Sequence, residues 1–343
     1  GITNFVTPVK TAYWNHSPLL LVTPQAANKT IGQGGFQEIE QMKLFEDMVC
    51  YQEEVRDPSR MAEVLNRVIA QAWRGCAPAQ INIPRDYWTQ VIDINLPQIV
   101  DFERPSGGED AIAAAAELLS NAKFPVMLNG AGVVIGGAIP ASAKLAEKLA
   151  APVCCNYQHN DAFPGSHPLF AGPLGYNGSK AGMELIAGAD VVLCLGTRLN
   201  PFSTLPGYGI DYWPKDAKII QVEADHTNLG LVKKISVGIC GDAKAAARDL
   251  AARLDGKTLA CDAKKQERAG QIAAEKAGIL KSGIPCVVGK QPKAALDVIK
   301  ARAKEISAEL YIEGEDWVVI PDAKGFVFKG RHGEAHYPNP NLL

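Results

Sequence analysis

Between positions 111 and 254, short apolar runs alternate with alanine-rich helical stretches. That alternation limits the fold more than any other feature of the chain. "PVMLNGAG", "APVCCN", "DVVLCLG" and "AKIIQVEAD" each hold a brief apolar run closed by turn or polar residues. Runs of this kind suit strands covered on both faces. "EDAIAAAAELLSNA", "ASAKLAEKLA" and "KAGMELIAGA" lie before and between them and read as helices. Strands joined through helices pair in parallel, so this stretch is expected to form a doubly wound open sheet.

The flanking segments follow related rules. In residues 1–96, "PLLLVTP" and "AQINIP" read as buried strands on either side of "DPSRMAEVLNRVIAQAW". In that helix Asp57 can cap, Pro58 suits the first turn, and Met61, Val64, Leu65, Val68 and Ile69 form one apolar stripe. Residues 97–110 are polar with proline and glycine and read as a linker. Residues 255–277 form a charged connector with helical character. In 278–343, "IPCVVG" reads as a strand, a helix runs from Pro292, and "AELYIEG", "DWVVIPD" and "GFVFKG" read as short strands. The fold class is α/β throughout. The opening "GITNFVTPVKTAYW" and the closing "AHYPNPNLL" both read as cut out of longer structured segments.

Composition narrows the partners. A net charge of -2 argues against nucleic acid or an anionic membrane as the main partner. No apolar run approaches the roughly 20 residues of a membrane span. The eight cysteines include no CxxC pair, which weakens zinc and redox-motif readings and favours free thiols in the cytoplasm.

Several motifs invite a site. "NGAGVVIGG" places Gly130, Gly132 and Gly136 after a strand, one residue longer than the dinucleotide fingerprint, and a tight turn is the favoured reading. "GPLGYNGSK" has Gly178-Ser179-Lys180 where a phosphate loop needs Gly-Lys-Ser/Thr, so it is rejected. His159, Asp161 and His167 match no closed metal site. Arg198 follows a strand at the edge where open sheets bind ligands; it can hold a phosphate or form a surface ion pair, and the sequence leaves both open. "KTIGQGGFQEIEQ" supplies Gly32, Gly34 and Gly35 and then Phe36, Gln37 and Glu38. An apolar ring beside an amide suits an aromatic heterocycle with edge nitrogens, and a glycine-rich turn before a helix is the alternative.

The stretch "GITNFVTPVKTAYWNHSPLLLVTPQAANKTIGQGGFQEIEQ" resembles the pyrimidine-binding domain of thiamine diphosphate enzymes of the acetolactate synthase and pyruvate oxidase group. Asn4 and Gln37 stand 33 positions apart, as the matching Asn and Gln do in that group. "YQHNDAFPGSHPL" and "GTRLNPFSTLPGYGIDYWPKDAKIIQV" bring the resemblance closer to its sulfoacetaldehyde acetyltransferases, over residues 1 to about 277. The resemblance implies thiamine diphosphate and Mg²⁺ as cofactors, with Asn4, Phe36 and Gln37 on the pyrimidine side. It implies sulfoacetaldehyde and phosphate as substrates, with acetyl phosphate and sulfite as products. It also implies a homo-oligomer whose active sites form between two chains. The glutamate that protonates the pyrimidine is expected upstream of Gly1. The Gly-Asp-Gly motif that holds Mg²⁺ is expected in a third domain; Gly241-Asp242 is followed by Ala243 and is no substitute. The chain therefore reads as an incomplete, inactive piece of such an enzyme.

From Ile272 onward the chain resembles the folylpolyglutamate/dihydrofolate synthases, which are Mur-type ligases. "EKAGI", a strand ending in Val-Gly, and then Gln and Pro carry that resemblance. It implies that Lys276 matches a carbamylated lysine near a Mg²⁺, without the upstream metal ligands and ATP loop. "IAAEKA" (272–277) occurs at the join of both patterns, so a chimera of two fragments is expected. The alternatives are an ATP-dependent folate ligase fragment and a non-catalytic nucleotide-binding module.

Overall fold

The computed structural model describes residues 1–36, 38–98, 103–264, 270–274, 277–278, 280–291, 293–322 and 325–338. It separates into two units, Gly1–Glu103 and Arg104–Leu343. Gln37 and Lys276 lie outside the described residues.

The first unit carries a parallel three-stranded sheet. Strands β1 (Leu19–Gln25), β2 (Tyr51–Glu54) and β3 (Pro78–Pro84) lie in the order β1-β3-β2. Helix α1 (Val6–Trp14), a short α2 (Gln41–Phe45) and α3 (Met61–Gly75) accompany it. Asp57 does cap, but it caps the 3-10 turn Pro58–Arg60 that leads into α3, accepting the Ser59 N–H at 2.9 Å. Val64, Val68 and Ala72 of α3 pack on Ala79, Ile81 and Ile83 of β3. The expected stripe is narrower at one flank, because Ile69 is 37% exposed.

On the opposite face of β3 the interior turns polar. Gln80 donates to Thr23 at 2.9 Å, Thr23 donates to Asn82 at 2.8 Å, and Asn82 donates to Glu54 at 2.6 Å. These groups are buried or half-buried, so each needs its partner.

The second unit holds six parallel strands in the order β6-β5-β4-β7-β8-β9. They are β4 (Pro125–Asn129), β5 (Val153–Asn156), β6 (Phe170–Leu174), β7 (Val191–Leu195), β8 (Lys218–Glu223) and β9 (Val237–Cys240). Helices α4 (Glu109–Asn121), α5 (Ala131–Ile135), α6 (Ile139–Leu149), α7 (Lys180–Ala187) and α8 (Ala243–Arg253) connect them. Strand order reverses between β4 and β7, which makes their carboxyl ends the switch point of a Rossmann-like sheet. The four inner strands coincide with the four apolar runs. The two edge strands escape that pattern: β6 contains Gly172 and Pro173, and β9 has only four residues.

Leu259 and Cys261 are buried in the core on one side of this sheet, and Ile272 in the core on the other. Beyond them β10 (Cys286–Val288) and β11 (Leu310–Ile312) pair in parallel around helix α9 (Lys293–Ile306). An antiparallel meander follows: β12 (Trp317–Asp322), β13 (Gly325–Gly330) and β14 (Gly333–Pro338). The sequence reading has no counterpart for β14, whose "GEAHYP" mixes charge and proline. The core here is small, with Ala277, Leu280 and Ala303 buried. Val287 stays 69% exposed.

Candidate cofactor-binding site

In the first unit the loop after β1 is built on two left-handed glycines, Gly32 at φ +85° and Gly34 at φ +72°. A Cβ at either position would meet nothing within 4 Å, so the loop is open rather than packed. It presents Phe36 at 94% exposure. Asn4 lies in the short turn Ile2–Phe5 and is exposed, its side chain making no hydrogen bond to another described residue. No hydrogen bond joins Asn4 to Phe36. A polar cavity of about 550 Å³ opens nearby, lined among others by Gln25, Gln41, Glu54 and Arg56. Gln41 is buried, and its Oε1 has no partner among the described residues.

These groups can be tested against thiamine diphosphate. The exposed Phe36 ring and the exposed Asn4 amide are of the types that meet the flat face and edge nitrogens of a pyrimidine, while the Gly32 and Gly35 N–H groups are taken by Glu38. Among the described residues no group of three or more His, Cys, Asp or Glu could hold a metal ion.

In the second unit the "NGAGVVIGG" turn closes on the loop after β7. Gly130 N–H donates to Leu195 C=O at 3.0 Å and Gly132 N–H to Gly196 C=O at 2.9 Å. These amides are spent inside the fold, so the glycines serve close backbone packing, in keeping with the tight-turn reading. Ser179 caps α7 by accepting the Gly182 N–H at 3.0 Å, and Lys180 pairs with Glu184 at 3.3 Å. That is a helix start capped by Ser179.

At the same edge Asn156 donates to Thr197 Oγ1 at 2.9 Å, while its buried Oδ1 has no partner among the described residues. Arg198 is half-buried, and burial lowers its pKa against the pull of the Glu223 carboxylate. Burial raises the pKa of Glu223, although the Ala224 and Asp225 amides that it accepts at 2.9 and 3.3 Å act the other way. Tyr157 packs edge-on to Tyr176 at 6.2 Å and near Phe202 at 6.5 Å. Sequence reasoning found Arg198 but not Asn156 or Glu223. Both end strands whose apolar runs drew attention away from their last, polar residue.

Comparison with known proteins finds a family match within this unit. Residues 112–250 match the family described as "Thiamine pyrophosphate enzyme, central domain".

The chain is 75% identical over 276 residues to a sulfoacetaldehyde acetyltransferase of Roseovarius nubinhibens, covering 80% of this chain and 45% of that protein. It is 66% identical over 276 residues to the one of Rhodobacter capsulatus, covering 80% and 46%. The chain thus spans less than half the length of these curated relatives. A solved thiamin diphosphate-dependent enzyme from Mycobacterium smegmatis shares the fold, with a TM-score of 0.63 and 19% identity over 91% of this chain and 68% of that one. None of these matches lends support to the ligase resemblance after Ile272. Among the described residues no helix is long and apolar enough to cross a membrane.

Proposed function

We propose that this chain is part of a thiamine diphosphate-dependent acetyltransferase that converts sulfoacetaldehyde and phosphate into acetyl phosphate and sulfite. The observation that carries this reading is the 75% identity over 276 residues to a sulfoacetaldehyde acetyltransferase. When bound, the cofactor supplies the nucleophile and the electron sink. Asn4 and Gln37 would hold the edge of its pyrimidine and Phe36 a face. Mg²⁺ and the diphosphate would be held by residues other than those described. The chain alone is read as inactive, and the complete enzyme as a homo-oligomer. Calorimetry with thiamine diphosphate and Mg²⁺ should show no tight binding by this chain. Micromolar binding together with acetyl phosphate production would overturn the inactivity.

A second reading rests on the unpartnered Asn156 Oδ1 and the neighbouring Arg198. Together they offer an acceptor and a cation at a sheet switch point, which suits a nucleotide held without chemistry. Titration with ADP should then protect Arg198 from arginine-specific modification. Unchanged modification at millimolar ADP removes this reading.

The tail after Ile272 is read as a Mur-ligase-type piece joined at "IAAEKA", with Lys276 lacking its metal partners. An ATP-dependent ligase activity is not expected, since the sequence has no phosphate loop. Amplification across the join from source DNA tests the chimera, and one continuous native product would argue against an assembly artefact.

A further inference from the structure

The loop that carries Phe36 has almost no packing to hold it. Phe36 is 94% and Ile31 45% exposed, and no heavy atom stands within 4 Å of a Cβ built on Gly32 or Gly34. A loop of this kind should sample many shapes unless hydrogen bonds select one. The bonds converge on one side chain. Glu38 Oε1 accepts the Gly32 N–H at 2.6 Å, and Oε2 accepts the Gly35 N–H at 3.2 Å. The backbone closes the same turn, since Glu38 N–H donates to Gly35 C=O at 3.1 Å. Glu38 thus spans the glycine segment at both ends, with Phe36 inside the turn.

The residue type matters for physical reasons. A carboxylate has two oxygens at fixed separation, so it can take two amides at once, and charged acceptors make the stronger bonds. Glutamine offers one acceptor oxygen, and alanine none. Both left-handed glycines lie within the clamped stretch, so backbone freedom is supplied and then removed by one side chain.

We propose that Glu38 is a positioning residue that fixes the glycine loop in the shape that sets Phe36 against the pyrimidine ring of the cofactor. This rests on the reading of the first unit as the pyrimidine side. Glu38 itself is not assigned contact with the cofactor.

The test uses the ¹⁵N-labelled chain as wild type, Glu38→Gln and Glu38→Ala. Hydrogen exchange at Gly32 and Gly35 reads the clamp directly. Losing hydrogen bonds to a charged group should speed both amides by about tenfold or more in Glu38→Ala, with Glu38→Gln between the two. The thermal midpoint should hardly change, because no core side chain is touched. Thiamine diphosphate with Mg²⁺ is then titrated into the millimolar range, following the Gly35 and Phe36 amide signals. Wild type should respond, Glu38→Ala should respond about tenfold more weakly, and Glu38→Gln should recover part of the response. Unchanged exchange in Glu38→Ala overturns the clamp. An equal cofactor response in wild type and Glu38→Ala overturns the positioning role and leaves the pyrimidine-side reading intact. No response in wild type overturns that reading, and the proposal with it.

Discussion

Gly196 and Gly132 pack backbone against backbone at the switch point of the central sheet. A Cβ on Gly196 would stand 2.7 Å from Gly132 Cα and 2.8 Å from its carbonyl carbon, and Gly196 sits at φ +60°. Neither atom can move aside, since Gly132 N–H also donates to Gly196 C=O at 2.9 Å. Gly196→Ala should therefore destabilise the second unit by about 2–4 kcal/mol, from left-handed strain added to a backbone clash. Urea unfolding followed through Trp213 measures it, and a change under about 0.5 kcal/mol, as at an unconstrained surface site, sinks the packing argument.

Gly196→Ala also shows how far the sequence could be read. The strand before Gly196 was plain from "DVVLCLG", because a run of valine and leucine between turn residues fits a covered parallel strand. The reason for the glycine was not plain, since it lies in a contact with residues more than sixty positions earlier. Arg198 could be placed at the sheet edge from the order of elements alone. The orphan oxygen of Asn156 and the half-buried Glu223 could not, because burial of a strand's last residue depends on loops from elsewhere. Likewise "FQE" located the first-unit loop, while the reach of Glu38 back to Gly32 appears only once the chain has turned.

Arg67 and Glu53 bind through two bonds, Nε to Oε2 at 2.8 Å and Nη2 to Oε1 at 2.7 Å, with Tyr51 donating to the same carboxylate at 2.7 Å. Hydrogen bonding to Arg67 holds the Glu53 carboxyl below its ordinary range, against the opposing effect of burial. A depressed carboxyl contributes stability above its unfolded pKa of about 4.3 and loses it as pH falls through the lower folded value. Arg67→Met keeps the stem and removes the fork, and should cost about 1–2 kcal/mol at pH 7, discounted for partial exposure. The gap between wild type and variant should begin to narrow below about pH 4 and close only near pH 2, because Arg67 also holds Glu63, whose carboxyl is lowered to about 2. A gap independent of pH would mean that packing of the arginine stem, not the ion pair, sets the loss.

Glu223 carries the opposite sign. Its carboxyl is raised by burial, so the folded state holds the proton more tightly than the unfolded one. Stability is then greatest below the unfolded pKa and falls as pH rises through the folded value. Glu223→Gln keeps an oxygen for the Ala224 amide and removes the buried charge. It should raise the melting temperature at pH 7–8 and leave it unchanged near pH 3, where wild type is protonated. Under the nucleotide reading it should also strengthen ADP binding, because Arg198 no longer shares its charge with a carboxylate. A lower melting temperature at pH 7 would show that the Glu223 charge stabilises the edge through Arg198.

Asp255, Gly256, Lys257 and Thr258 are all exposed and follow the end of α8, while Leu259 and Cys261 directly after them are buried in the core of the central sheet. A protease needs several residues of extended, accessible backbone, and the helix on one side and the docked residues on the other leave this short stretch as the opening. Trypsin should cut early after Lys257. The fragment that begins at Thr258 should then degrade faster than the central domain, since its core beyond the docked residues is small, a cluster of Ala277, Leu280 and Ala303 with Val288, Ala295 and Ile312 also buried. Timed digestion with mass spectrometry follows both steps. A fragment from Thr258 that outlasts residues 104–257 would show that the small core after Ala277 is the more stable of the two.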